Sequence, residues 1–145
     1  MSKIESYLPD LWTTLKKEVI PGRDVEIRDT ALQAITSLIN IISVDETVCK
    51  NFIDKIIVDV KSSLCDVQLS LYRPAQTLLE TIAAINKTIC VQILQIIIPL
   101  CIGQYSTKNS FNDKIALIET LNNLMKICSN YNFCFQGKLK YIIIY

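Results

Sequence analysis

The sequence predicts an all-α chain, folded as a solenoid of about three antiparallel helix pairs. Three observations carry that expectation. Glycine is scarce, with three copies in 145 residues, and long apolar segments are broken by few turn signals. Apolar residues recur at helical rather than alternating spacing. One helical pattern also returns along the chain at a nearly constant interval. Half of the residues are hydrophobic and a fifth are charged, so a sizeable core is expected rather than disorder.

Six helical segments are expected in order. The first covers residues 6–20 and ends at Pro21 and Gly22, which act as stop signals. The second runs over 24–44, with Asp24 as an acidic cap. The third begins near Asp45 and Thr47 and runs to 66, with Phe52, Ile53, Ile56, Ile57, Val60 and Leu64 on one helical face. The fourth covers 68–85 and the fifth 87–105. After the polar loop "STKNS" the sixth covers 111–129. "IIVDV" and "QIIIPLCI" carry β-branched residues that favour strands intrinsically, but hairpin turn signals are missing around them. Residues 138–145 end in "YIIIY" and form an unassigned tail, strand-like or disordered.

The recurrence is visible in the stretch "DVEIRDTALQAITSL", which starts at Asp24. Its spine is Asp24, Ile27, Arg28, Ala31, Ile35 and Leu38. A shift of 44 gives Gln68, Leu71, Tyr72, Ala75, Leu79 and Ile82. A shift of 86 gives Ser110, Asp113, Lys114, Leu117, Leu121 and Leu124. Two helices per roughly 42–44 residues fall within the range of HEAT and armadillo repeats. The expected units are about 6–44, 45–85 and 86–130, together a HEAT-like (ARM-like) superhelix within 1–137. Pro9 and Pro99 are expected to kink the first helices of units one and three. Ala31 and Ala75 let helices approach closely, and Ile35, Leu38, Leu79 and Ile82 fill the seam. One pair cannot bury its apolar face alone, so pairs stack.

Composition excludes several functions. There is no histidine, so catalysis or metal binding through histidine is out, and the three glycines are isolated, so no loop cradles a phosphate. The formal net charge of +1 gives no electrostatic reason to expect nucleic acid or an anionic membrane as a direct partner. The N-terminus lacks the charged-then-apolar pattern of a signal peptide. The most apolar segment, 89–103, is interrupted by Gln92, Gln95 and Pro99, and reads as a buried helix rather than a membrane span. Six cysteines at 49, 65, 90, 101, 128 and 134 form no C-x-x-C pair, and are expected to be reduced thiols on apolar helical faces, without metal or cluster. The carboxylate pairs Asp24/Glu26 and Asp45/Glu46 stand at helix starts, where capping explains them better than acid–base chemistry. No enzyme activity, cofactor or catalytic residue is expected.

What remains is surface. The second helix of each unit is expected to line one face of the array. Its exposed positions would be Asp29 and Arg73; Gln33, Thr77 and Glu119; Thr36, Glu80 and Asn122; then Asn40 and Lys126. They are polar and mixed in sign, which fits a solvated helix face or a ridge that meets a protein partner.

The stretches "LPDLWTTLKKEVI", "EIRDTALQAITSLINIIS" and "SLCDVQLSLYRPAQTLLETIAA" resemble a known family. It is the HEAT-repeat scaffold subunit of the cytosolic iron–sulfur cluster assembly targeting complex, named for methyl methanesulfonate sensitivity and linked to nucleotide excision repair and transcription. The likeness spans about residues 8–137 and is diffuse, without a single signature. It implies a non-enzymatic adaptor, present in cytoplasm and nucleus, that helps deliver iron–sulfur clusters to apo-proteins of DNA repair, replication and transcription. Its implied partners are a WD-repeat subunit, a small assembly subunit and the iron–sulfur client proteins. The chain is far shorter than that family's scaffold and is expected to be a fragment of one, with ends prone to association. Two other functions fit the residues: a HEAT or armadillo adaptor of another kind, such as a transport receptor, or a compact helical bundle with a ligand pocket.

Overall fold

The computed structural model describes residues 3–65 and 69–131. The described chain is all helical. A 3-10 turn at Glu5–Tyr7 leads into six α-helices: α1 (Leu8–Val19), α2 (Val25–Ile42), α3 (Glu46–Cys65), α4 (Leu69–Ala83), α5 (Lys87–Thr107) and α6 (Phe111–Ser129). No strand occurs among the described residues, so the β-branched runs at 56–60 and 95–102 are helical. Burial of Ile56, Ile57, Val60, Ile97 and Ile98 along one helical face overrides the intrinsic strand preference of isoleucine and valine. The tail at 138–145 lies outside the described residues.

Local chemistry explains the helix starts. Asp24 accepts from the Ile27 amide at 3.0 Å, Asp45 from the Thr47 and Val48 amides at 3.0 and 3.1 Å, and Asn86 from the Ile89 amide at 2.9 Å. Each satisfies an amide that the first helical turn leaves without an intrahelical partner. Ser110, expected to cap α6, occupies the N-cap position but makes no side-chain capping bond. Gln68, its counterpart in the second unit, lies outside the described residues.

The prolines behave differently from expectation. Pro9 sits in the first turn of α1, where an amide hydrogen has no intrahelical acceptor, so it costs the helix nothing and need not kink it. Pro99 is inside α5, as anticipated, and Pro74 is inside α4. Between α1 and α2, Gly22 has φ +63°, and a Cβ there would meet Arg28 Cδ at 2.9 Å and the Val19 carbonyl at 3.0 Å. Only glycine turns the chain at that point without strain.

Packing builds a two-layer array. Each helix packs on its sequence neighbour in the pairs α1–α2, α3–α4 and α5–α6, and the pairs stack through α2–α4, α4–α6 and α3–α5. The first helices make one layer. Trp12 Nε1 of α1 donates to Asp59 Oδ2 of α3 at 2.7 Å, and Lys16 reaches the same oxygen at 3.4 Å. Gln92 of α5 donates to the Lys50 carbonyl and to Asp54 Oδ1 of α3 at 3.0 and 2.7 Å. The second helices α2, α4 and α6 make the other layer. Between the layers runs one continuous apolar core that includes Trp12, Ile35, Ile39, Ile53, Ile57, Leu79, Ile82, Ile93 and Leu124. This is the all-α, HEAT-like architecture that the recurrence predicted, with apolar faces buried both within each pair and between neighbouring pairs.

α5 is the one described helix long and apolar enough to cross a membrane, with 21 residues and mean hydropathy 1.6. Here its apolar residues Ile89, Ile93, Leu94, Ile97 and Ile98 are buried, and it packs against α3, α4 and α6.

Candidate partner-binding face

The repeat register sorts the second helices by position. Ala31, Ala75 and Leu117 are all buried, as are Leu38, Ile82 and Leu124. These positions point into the array. The expected partner-facing residues stand on other rows of the same helices, and the structure divides them into two groups.

One group makes no hydrogen bond or ion pair to the neighbouring unit among the described residues. Asp29, Gln33 and Asn122 are exposed. Asp29 accepts from its own neighbour Arg28 at 3.0 and 3.1 Å, an exposed pair that contributes little. Thr36 and Thr77 are half-buried, and their hydroxyls donate back to the Leu32 and Arg73 carbonyls of their own helices.

The other group ties α4 to α6. Arg73 Nη1 lies 2.6 Å from Glu119 Oε2 and also donates to Gln76 Oε1 at 3.1 Å. Gln76 in turn donates to Glu80 Oε1 at 2.8 Å, and Asn123 of α6 donates to the same oxygen at 2.9 Å. Beneath this row the buried Tyr72 hydroxyl shares a 2.6 Å hydrogen bond with Thr120 and lies 3.3 Å from the Ala116 carbonyl. At the far end the Tyr131 hydroxyl donates to the Ala83 carbonyl at 3.2 Å. Burial pushes the Tyr72 phenol up to about 12, opposed by its bond to Thr120. Arg73, Glu80 and Glu119 therefore do two things. They present charge on the second-helix layer, and they fix how the third unit sits on the second.

Tyr72, Gln76, Thr120 and Asn123 were not singled out as a seam by sequence reasoning. The only available signal was Tyr72 at a position that holds Arg28 and Lys114 in the other units. A buried tyrosine hydroxyl needs a partner, and only the stacking supplies one.

The described cysteines stand as two neighbouring pairs, Cys90 with Cys128 and Cys101 with Cys65, and a separate Cys49. Cys49, Cys90, Cys101 and Cys128 are buried, while Cys65 is exposed, and all five are free thiols. Cys134 lies outside the described residues. Desolvation pushes Cys90 and Cys101 up to about 12, with the neighbouring thiols Cys128 and Cys65 adding to the rise. Such thiols are inert near neutral pH. Among the described residues no group of three His, Cys, Asp or Glu side chains is placed to hold a metal. A recess of about 350 Å³ lies between the starts of α3 and α5, with Lys50, Glu46, Asn86 and Gln92 among its walls. It is half open, and every buried side-chain polar atom described has a hydrogen-bond partner, so no buried group awaits a ligand.

No family model and no solved structure matches this chain. Curated proteins do. The chain is 21% identical over 137 residues to the MMS19 nucleotide excision repair protein homolog of Bos taurus, covering 90% of this chain. It is 25% identical over 134 residues to that of Xenopus tropicalis, and 23% identical over 131 residues to that of Danio rerio, covering 88% and 86% of this chain. In each case it spans 13% of the length of the relative.

Proposed function

We propose that this chain acts as a protein–protein adaptor linked to DNA repair and transcription, of the kind that targets iron–sulfur clusters to apo-proteins. The observation that carries this reading is the sequence likeness to the repair protein homologs across about nine-tenths of the chain. It runs through all three helix pairs rather than through one motif, as expected where a stacked surface rather than a pocket is the functional unit. The second-helix layer supplies such a surface. Asp29, Gln33, Thr36, Thr77 and Asn122 offer polar contacts, with Arg73, Glu80 and Glu119 held rigid among them. A rigid polar row binds with little loss of side-chain freedom. Its partners are a WD-repeat subunit, a small assembly subunit and iron–sulfur client proteins, met in the cytoplasm and nucleus.

The test is capture of purified partners on immobilised chain. The WD-repeat subunit, the small assembly subunit and an iron–sulfur helicase client would each be offered, first to the native chain and then to the triple variant Asp29→Arg, Gln33→Arg, Asn122→Arg. At least one partner should bind the native chain and lose about tenfold or more in affinity for the variant, whose melting temperature should be unchanged because all three sites are exposed. Capture of none of the three, or binding indifferent to the variant, would end this reading.

A further inference from the structure

Of the five described thiols only Cys65 is exposed. It is the last residue of α3, and the packing of α3 on α5 sets it beside the second half of α5. Two contacts fix how these helices run. Near their starts, Gln92 of α5 donates to Asp54 Oδ1 of α3 at 2.7 Å, an offset of 38 residues. Further along, Gln104 Nε2 of α5 donates to Cys65 Sγ at 3.6 Å, an offset of 39. The two helices therefore lie side by side, in the same direction and in one register. Cys101 stands three residues before Gln104, and residues three apart share a helix face, with Cβ atoms about 5–6 Å apart. The Cys65 sulfur thus meets the face of α5 that carries Cys101, and Cys101 responds to it as a neighbouring thiol. Cys101 itself is 1% exposed. The pair combines one thiol open to solvent with one that is not. Cys90 and Cys128 differ, because both are buried.

We propose that Cys65 is a site of reversible thiol oxidation by hydroperoxides and that Cys101 resolves it, closing a disulfide between α3 and α5. In the first step the Cys65 sulfur attacks the terminal oxygen of the hydroperoxide. The O–O bond breaks, an alcohol or water leaves, and Cys65 becomes a sulfenic acid. In the second step the Cys101 sulfur attacks the Cys65 sulfur. The S–O bond breaks, the S–S bond forms, and water leaves with the Cys101 proton. The two sulfurs lose two electrons between them and the peroxide gains two. A thiol reductant reverses the bridge by exchange. The burial of Cys101 sets the order of events. Shielded from solvent, it does not meet a dissolved oxidant first, so it acts as the resolving thiol. Its small thiolate fraction is offset by proximity, since groups held in contact react as if at very high concentration. A disulfide needs Cα atoms about 4.4–6.8 Å apart. Cys65 ends its helix, so its backbone adjusts to that distance at less cost than a residue in mid-helix. The bridge locks the first helices of units two and three together beyond the point where Gln92 already joins them.

The test treats the reduced full chain with a modest excess of hydrogen peroxide and maps its peptides without reduction, using fragmentation that separates Cys101 from Cys90. The native chain should yield a peptide pair joined through Cys65 and Cys101, lighter by two hydrogens, which dithiothreitol restores to free thiols. In Cys101→Ala the sulfenic acid at Cys65 should persist, and dimedone should label it at least about tenfold more than in the native chain. In Cys65→Ser neither the bridge nor oxidation of Cys101 should appear. The bridged chain should melt about 5 °C or more above the reduced one. The mapping of the native chain decides the matter even if Cys101→Ala folds poorly. A bridge from Cys65 to any other cysteine, including Cys65 of a second copy, would overturn the proposal. So would dimedone labelling that is equal with and without Cys101. A bridge that leaves the melting temperature unchanged would overturn the lock.

Discussion

The two seams of the second-helix layer are built from different materials. Where α2 meets α4, the buried row is Leu32 and Ile39, and among the described residues no hydrogen bond or ion pair crosses between the two helices. Where α4 meets α6, the same row is Gln76 and Ala83, and a ladder crosses it through Tyr72–Thr120, Arg73–Glu119, Glu80–Asn123 and Tyr131–Ala83. Apolar contact is non-directional, so the first seam fixes that the units touch but little about how. Hydrogen bonds have fixed lengths and angles, so the second seam sets the register of unit three on unit two. In the first-helix layer the roles are shared more evenly, with Trp12–Asp59 on one side and Gln92–Asp54 on the other.

Alkaline pH should separate the two halves most strongly. Cys90, Cys101 and Tyr72 are each raised to about 12 by burial, from ordinary values of 9.0 and 10.0. A group raised in the folded state favours the neutral form there. Its contribution is fully present below its unfolded value and is lost as pH climbs through the folded one. Stability should therefore hold up to about pH 9 and fall between pH 9 and 12. All three groups lie on α4 and α5, so exchange measured at pH 10 to 11 should show α4 to α6 opening before α1 and α2. Uniform opening would mean the seams do not act separately.

Next in size is Trp12→Ala. It removes a buried side chain and the bond to Asp59 together, and should cost about 3–5 kcal/mol in denaturant unfolding. Ile39→Ala at the apolar seam should cost about 2–5 kcal/mol. By contrast, Tyr72→Phe at the polar seam should cost only about 1 kcal/mol, because the Thr120 hydroxyl keeps its bond to the Ala116 carbonyl at 2.9 Å. A Tyr72→Phe loss as large as that of Ile39→Ala would show that the ladder, not the apolar row, carries the stack. The smallest effect belongs to Arg73 and Glu119. Both side chains are about half exposed, so a double-mutant cycle should give under about 1 kcal/mol and shrink in high salt.

Much of this was legible in the chain. Asp24 and Asp45 cap helices through bonds to amides two or three residues away, as their places at expected helix starts imply, whereas the cap at Asn86 emerges from the structure. The limits of α6 and the start of α5 follow from apolar spacing and the polar break "STKNS". The effect of Pro9 depends on where the helix begins, and α1 begins at Leu8 behind a 3-10 turn, which sequence spacing does not reveal. On the candidate face, Asp29, Gln33 and Asn122 proved to be exposed positions, while Arg73, Glu80 and Glu119 turned out to be engaged across the seam. No sequence rule distinguishes those cases, since Thr120 and Asn123 stand 48 and 43 residues from their partners Tyr72 and Glu80.

The sequence by itself determined the helices, their pairing and the recurrence, because periodicity, caps and turns act over a few residues. It also determined that one pair could not stand alone, since apolar rows such as Ile35/Leu79 and Leu38/Ile82 recur in successive units. Only the tertiary structure decided which polar residues face solvent and which face the next unit. Arg28, Tyr72 and Lys114 hold one repeat position, yet Arg28 pairs with Asp29, Tyr72 is buried against Thr120, and Lys114 lies 5.1 Å above the Tyr105 ring. The reason is physical. A side chain's environment is set by the helix stacked beside it, and that neighbour is fixed by the sum of many weak apolar contacts rather than by any local signal.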